Sequence, residues 1–412
     1  MTDEPRGDGP PDAAGAPDPA DDKKSGWSVF MDELTGVNVD WRSAVLVPLL
    51  AMIAALAVSA LIIVFTDIDL WRDFSLSALG ESIGNAGSAL WALLTGSLGS
   101  LAAVSSTLAF AAPLMLAGLA VAVGFKAGLF NIGAEGQMLM GGMVAVALGI
   151  NIDIPVFLNV PLAIVGAMFG GAVWGGIAGL LRARTGAHEV ITTIMLNSIA
   201  GLAVVWMLST EFFQPEGRID PISQDIAVSA RLPRLLGFLD RSDLSVHFGI
   251  IIAFIAAYAV YWVLFKSTIG YEFRAVGFNP HAALYGGMRV AWIYTAVMAL
   301  SGALAGLAGM SQINGLLYRA SPGFAAGIGF DAISLALLGR SHPAGVVAAG
   351  LLFGALRSGG IEMQVATDVP VDLISVIQAL VVVFIAAPAL IRAIFRVKTG
   401  EEIGQLTTGW ST

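Results

Sequence analysis

Cysteine is absent from this 412-residue chain, which excludes disulfides, thiolate nucleophiles and Cys-ligated zinc or iron–sulfur sites. Charge is scarce: 12% of the residues are Asp, Glu, Lys or Arg, about half the share of a soluble domain. With 57% hydrophobic residues and a mean hydropathy of +0.81, too little polar surface remains to cover a water-soluble globule. Lipid is therefore the solvent for most of the chain. The four histidines, His188, His247, His281 and His342, are scattered without H-E-x-x-H or paired-carboxylate spacing, which argues against a membrane metalloenzyme and predicts no bound metal. No G-x-x-x-x-G-K-S/T occurs, so the chain does not cradle nucleotide phosphates in a P-loop. A basic tract of the kind that binds nucleic acid is missing too.

What is present is glycine, 49 residues of it, and long apolar runs. Residues 1–43 are rich in Asp, Pro, Gly and Ala and read as a disordered acidic cytoplasmic tail. The membrane domain then covers 44–398, with a short cytoplasmic tail at 399–412. The first run, 44–65, is long and uncharged enough to be an anchor rather than a cleaved signal. Further spans are expected at 101–124, 132–150, 161–181, 189–209, 247–265, 290–310, 325–339, 343–356 and 371–391. The predicted fold is all-α: a polytopic transmembrane helical bundle of about ten spans, some short or interrupted. The weakly apolar stretch 76–100 reads as an interfacial helix. Of the 21 basic residues, twice as many fall on the cytoplasmic side as outside when both termini are cytoplasmic, and Arg357 counts among the outer ones.

Glycines recur at close to four-residue spacings as Gly166, Gly170, Gly171, Gly175 and Gly179, and again as Gly302/Gly306 and Gly350/Gly354. Such faces let helices approach closely. Two places depart from a plain bundle. Residues 126–142 are polar and Gly-rich between apolar runs, and Gly339-Arg340-Ser341-His342-Pro343 breaks two short ones. Each is either a tight cytoplasmic turn or an interrupted helix lining a transport pathway. Residues 117–133 and 301–317 share a Gly/Ala-rich helix running into a short Asn-containing segment, a faint internal repeat.

Two segments carry mechanism. In 128–137, Asn131, Glu135 and Gln137 sit at or inside an apolar span, where a carboxylate must be paired or wetted. Lys126 is a candidate partner for Glu135; helix capping and substrate contact both remain open for that side chain. In 270–288, Asn279 caps a short helix beginning at Pro280, and Gly286-Gly287 stops it. A short helix presenting Tyr, Leu and Met on the cytoplasmic face suits the groove of a partner protein.

These motifs, GLFNIGAEGQ at 128–137, AHEVITTIMLN at 187–197, GFNPHAALYGG at 277–287 and ALLGRSHPAGVVAAGLLFGAL at 336–356, occur in that order. Together they resemble permease subunits of ATP-binding-cassette (ABC) importers, in the branched-chain amino acid, simple-sugar and nucleoside superfamily, with the nucleoside branch favoured. The resemblance implies an ATPase-coupling loop carrying Glu272, Arg274, Gly277, Asn279, Pro280, Ala283 and Gly287. It implies a second homologous permease, a cytoplasmic ABC ATPase and an external substrate-binding lipoprotein as partners in a plasma membrane. ATP would be used by the ATPase, leaving this chain without a cofactor or an enzymatic activity of its own. Substrate contact is expected from Asn131, Glu135 and Gln137, then His188, Glu189, Thr192, Thr193 and Asn197, with Gln312 and Asn314 as weaker candidates. A sugar permease of the same architecture, or a transporter needing no ATP, is the alternative.

Overall fold

In the computed structural model residues 41–387 are described, apart from 73, 216, 368, 370 and 371. The expected tails lie outside them, except for residues 41–43, which begin the first helix. The described residues from Leu46 onward form one compact unit. The described part is all-α, with one isolated bridge between Arg234 and His247.

Helix α1 covers Trp41–Thr66, α2 Ile68–Arg72 and α3 Leu76–Leu98. Then follow α4 (Leu101–Lys126), α5 (Ala134–Asn151), α6 (Val156–Thr185) and α7 (Glu189–Leu208). After a long loop come α8 (Gly249–Lys266), α9 (Thr268–Phe278), α10 (Pro280–Tyr285) and α11 (Val290–Gln312). The last three are α12 (Ile328–Leu338), α13 (Pro343–Thr367) and α14 (Asp372–Ala386). Serine starts several of them: Ser75, Ser100 and Ser267 accept from Ala78 N, Ala103 N and Gly270 N at 3.0–3.1 Å. Among the described residues, α1, α4, α6, α7, α8, α13 and α11 with its continuation are long and apolar enough to cross a membrane, seven helices in all. Of the other expected spans, 132–150 forms α5, which is not among these seven, and 325–339 and 371–391 are shorter apolar helices, whereas the one expected at 343–356 runs on to Thr367.

The bundle is built around α4. From Ala109 to Gly124 nearly every residue is buried, because this stretch is small or apolar on all sides. Helices α8, α11, α12 and α13 surround it. The glycine faces do the close packing. A Cβ on Gly302 would fall onto Gly171 O, one on Gly306 onto Ala167 O, and one on Gly175 onto Met298 O, so α6 and α11 cross backbone to backbone. Gly350 and Gly354 seat α13 against Met115, Thr107 and Ala111 of α4 in the same way. Helix α3, expected at an interface, lies along α13, with Leu93 O touching the site where Gly359 would carry a Cβ.

Candidate functional site

The α4–α5 connection, residues 127–133, folds back along α4 instead of leaving the bundle. Leu129 N donates to Gly124 O at 3.0 Å. Asn131 reaches Ser301 Oγ at 2.7 Å, and that hydroxyl donates to Ala120 O at 2.6 Å. Asn131 therefore lies beside Gly124, its Cβ 3.4 Å from where that glycine would carry one, and its amide reaches through Ser301 towards Ala120. It is fully buried and its amide is saturated. Nδ2 also donates to Gln137 Oε1 (3.0 Å), while Oδ1 accepts from Gly133 N (2.9 Å) and Gln137 Nε2 (3.2 Å). Asn197 of α7 clamps the same turn, accepting from Gly136 N and donating to Ile132 O, both at 2.9 Å.

At the far end of α11 the chain enters the bundle from the other side. The helix widens into one turn of π-helix, Ile313–Leu317, closed by Tyr318 N donating to Ile313 O at 2.8 Å. The loop between α7 and α8 is stitched over this turn by Ile226 N to Tyr318 O, Leu232 N to Asn314 O and Ser223 N to Ala320 O (2.8–2.9 Å). Left-handed backbone at Tyr318, Gly323, Ala326 and Gly327 (φ 60, 71, 49 and 77°) then brings the chain to α12. With 11 residues α12 is about 16 Å long, half a bilayer core. Its first turn lies against the first turn of α5.

Glu135 joins the two. Its carboxylate accepts from Gly327 N (3.2 Å) and Gly329 N (2.8 Å), so it caps the positive N-terminus of α12, not that of its own helix. A Cβ on Gly329 would land on the Glu135 backbone, so only glycine permits the approach. Lys126, the partner expected for Glu135, lies elsewhere: its ammonium stands 5.9 Å from the Phe265 ring centroid, with Arg274 at 5.4 Å from the same centroid and the His342 ring beside it. These cations gather where the C-termini of α4, α8 and α12 converge, and they offset three negative helix ends. Burial and Lys126 together lower the His342 pKa below the ordinary imidazole value.

The other expected contacts are placed as follows. His188 is exposed at the start of α7. Glu189 is buried and stands 3.4 Å from Arg182 Nε, whose guanidinium lies over Tyr294. Thr192 and Thr193 donate back to Glu189 O at 3.0 and 2.7 Å. Gln312 and Asn314 lie at the opposite end, under the α7–α8 loop, where Asn314 Nδ2 donates to Ala230 O at 2.9 Å. Thus Asn131, Glu135, Gln137 and Asn197 form one cluster, with Thr193 against Gly133 at its edge. His188 and Glu189 belong to the far end of the bundle that carries α9 and α10.

At that end the loop expected to couple to an ATPase, residues 270–288, is built of two helices, α9 and α10. Asn279 Oδ1 accepts from His281 N and Ala282 N at 3.0 Å, Pro280 takes the first helical position, and Gly287 has φ 83°. Ala283 is buried, and Gly277 touches Lys126 O and Gly128, so α9 rests on the folded-back segment. Glu272 and Arg274 are half-buried. Met288, expected to be available for docking, packs against the core instead. The most exposed apolar side chains there are Phe278 (92%), Tyr285 (96%) and Leu284 (61%), with Tyr271 and Ile269 also exposed on α9. Sequence reasoning passed over Phe278, and it missed Asp331 in α12 and Arg357 in α13. The signal for the last two was a charge inside an apolar run; Arg357, placed outside by charge counting, lies within a 25-residue helix.

Helices that begin inside an apolar bundle and meet N-terminus to N-terminus define a class: a multi-pass membrane transport protein. Residues 103–386 match the family described as branched-chain amino acid transport system / permease component. The chain belongs to that family. It is 40% identical to the guanosine ABC transporter permease protein NupP of Bacillus subtilis over 85% of this chain and 95% of the relative. It is 36% identical to a glucose ABC transporter permease protein of Haloferax volcanii, over 82% and 86% of the two chains. It is 33% identical to the nucleoside ABC transporter permease protein NupB of Lactococcus lactis, over 84% and 92%. No solved structure matches. The chain is thus a permease, a transport subunit with no ATPase domain of its own.

Proposed function

We propose that the chain is the permease through which a nucleoside crosses the plasma membrane in an ATP-driven ABC importer. One observation carries the reading: two segments fold into the bundle from opposite ends and bring the N-termini of α5 and α12 together midway, bridged by Glu135. Half-helices meeting at that depth are where transporters bind cargo. The 40% and 33% identities to permeases named for guanosine and nucleosides favour that cargo.

In this reading the termini are cytoplasmic, the bundle makes about ten crossings, and α9–α10 faces the cytoplasm. Phe278, Leu284 and Tyr285 enter the groove of the partner ATPase, while Glu272, Arg274, Gly277, Asn279, Pro280, Ala283 and Gly287 shape the loop. A second permease completes the pathway, and an external binding lipoprotein delivers the nucleoside. ATP acts on the ATPase, and this chain holds no cofactor. Asn131, Glu135, Gln137 and Asn197, with Thr192 and Thr193 beside them and His188 and Glu189 towards the cytoplasm, frame the cargo once the half-helices part. Release follows from different affinities in the outward and inward states.

The test is uptake of labelled guanosine by vesicles holding the full complex and internal ATP. Competition by unlabelled nucleosides but not by ribose or glucose is expected. Competition by a sugar alone would move the protein to the second reading, a sugar permease, which rests on the 36% identity to the glucose permease. Uptake without ATP would remove the ABC mechanism.

A further inference from the structure

Two charges in the bundle stand without a close ion-pair partner among the described residues. Asp331 sits in the first turn of α12, and Arg357 lies well inside α13. Both are half-buried, and neither has an oppositely charged group within 4 Å among the described residues. Asp331 makes no side-chain hydrogen bond there, and Arg357 makes one long one, Nη2 to Ala326 O at 3.4 Å. A charge kept in an apolar bundle for stability would be neutralised by contact; one left half-exposed and unpaired needs water, and so a wetted path. The Ala326 carbonyl places the guanidinium at the N-terminus of α12, within about one and a half helical turns of Asp331. Glu135 caps the same helix end, so the two unpaired groups stand beside the joint of the half-helices.

The chemistry of the pair is a two-acceptor group and a two-donor group, close but not touching. Guanine offers the complement: its ring N1–H and 2-amino group lie side by side as donors, and O6 and N7 lie side by side as acceptors on the adjoining edge. Adenine has no pair of adjacent donors. We propose that Asp331 and Arg357 contact the base of the passing nucleoside, the carboxylate accepting from N1–H and the amino group and the guanidinium donating to O6 and N7. The pair thereby favours 6-oxopurine nucleosides over adenosine. The proposal rests on the nucleoside reading above.

The experiment compares guanosine and adenosine uptake by reconstituted vesicles of the complete complex, with the same binding protein throughout. The readout is the ratio of kcat/KM for the two substrates in the wild type, Asp331→Asn, Arg357→Gln and the exchanged pair D331R/R357D. Each single variant is expected to lower the guanosine preference about tenfold, the worth of one charge-assisted hydrogen bond. If either single variant fails to insert, Asp331→Glu or Arg357→Lys is read on the same ratio, because a displaced charge shifts it as well. A ratio within twofold of wild type in both positions overturns the proposal. So does restoration of the ratio by the exchanged pair, which would make the two a distant structural ion pair. Wild-type vesicles that accumulate a sugar but no nucleoside overturn the nucleoside reading itself, and this proposal with it.

Discussion

The two segments that fold into the bundle from opposite ends differ in how their polar groups are satisfied. At 127–137, Asn131 makes four side-chain hydrogen bonds, and its partners Gln137 and Ser301 are engaged in turn. At 311–331, Ser311 Oγ, Gln312 Oε1, Asn314 Oδ1 and the neighbouring His247 Nε2 are buried without a partner among the described residues. The second segment also holds left-handed backbone at Tyr318 and Ala326, which L residues adopt at a cost. A saturated segment is a brace; one with unmet polar groups and strained backbone is the half of the joint with least to lose by moving. The Glu135 carboxylate is the contact through which such movement would be felt.

Substitutions should break this contrast unequally. Asn131→Ala removes four hydrogen bonds at about 0.6–1.7 kcal/mol each in a membrane protein, so a loss of about 2–7 kcal/mol is expected in the thermal denaturation of the purified complex. An unchanged midpoint would remove the brace from the argument.

Acid should act on the other half. Burial holds the His247 pKa down to about 4, and its ring is wedged among Ser311, Gly249 and Gly315. Between that value and about 6.5 the unfolded chain binds the proton and the folded one does not, so stability falls as pH drops through this window. The full loss is about 3 kcal/mol by pH 4. His247→Gln should flatten the pH profile, and a profile still as steep in that variant would assign the loss to other groups.

Glu135→Gln keeps one acceptor oxygen and loses the charge at the α12 terminus, a cost of about 1–2 kcal/mol with a larger fall in uptake. Full uptake by this variant would show that the joint is dispensable. Gly277→Ala sharpens the comparison from below, because the new methyl would sit 2.6 Å from Lys126 O and push α9 off the brace. Cargo-stimulated ATP hydrolysis should fall while membrane insertion holds, and normal stimulation would disconnect α9 from the pathway. The smallest effect is expected from Asn314→Ala, about 1 kcal/mol, since one bond to Ala230 O is lost and the other side of the amide was already unmet. A cost equal to that of Asn131→Ala would erase the difference between the two halves.

Much of this architecture was legible before any coordinates. Apolar length marked most long helices to within about five residues, since lipid leaves the backbone no alternative, but it stopped α13 eleven residues short of Thr367. Gly171 and Gly175 announced close crossings, and Asn279-Pro280 announced a capped helix, because both signals are local chemistry.

What tertiary structure decided is which of these local signals meet. The sequence determined that Glu135 needed a partner in an apolar run, and Lys126, nine residues away, was the obvious one. The fold gave Glu135 the backbone of Gly327 and Gly329 instead, some 190 residues on. Charge counting could not place Arg357 either, because position relative to a membrane depends on how far α13 extends, and α13 runs through the arginine. Local chemistry fixes what each residue requires. Only the packing of α4, α5, α11 and α12 determines which groups, far apart in the chain, come close enough to supply it.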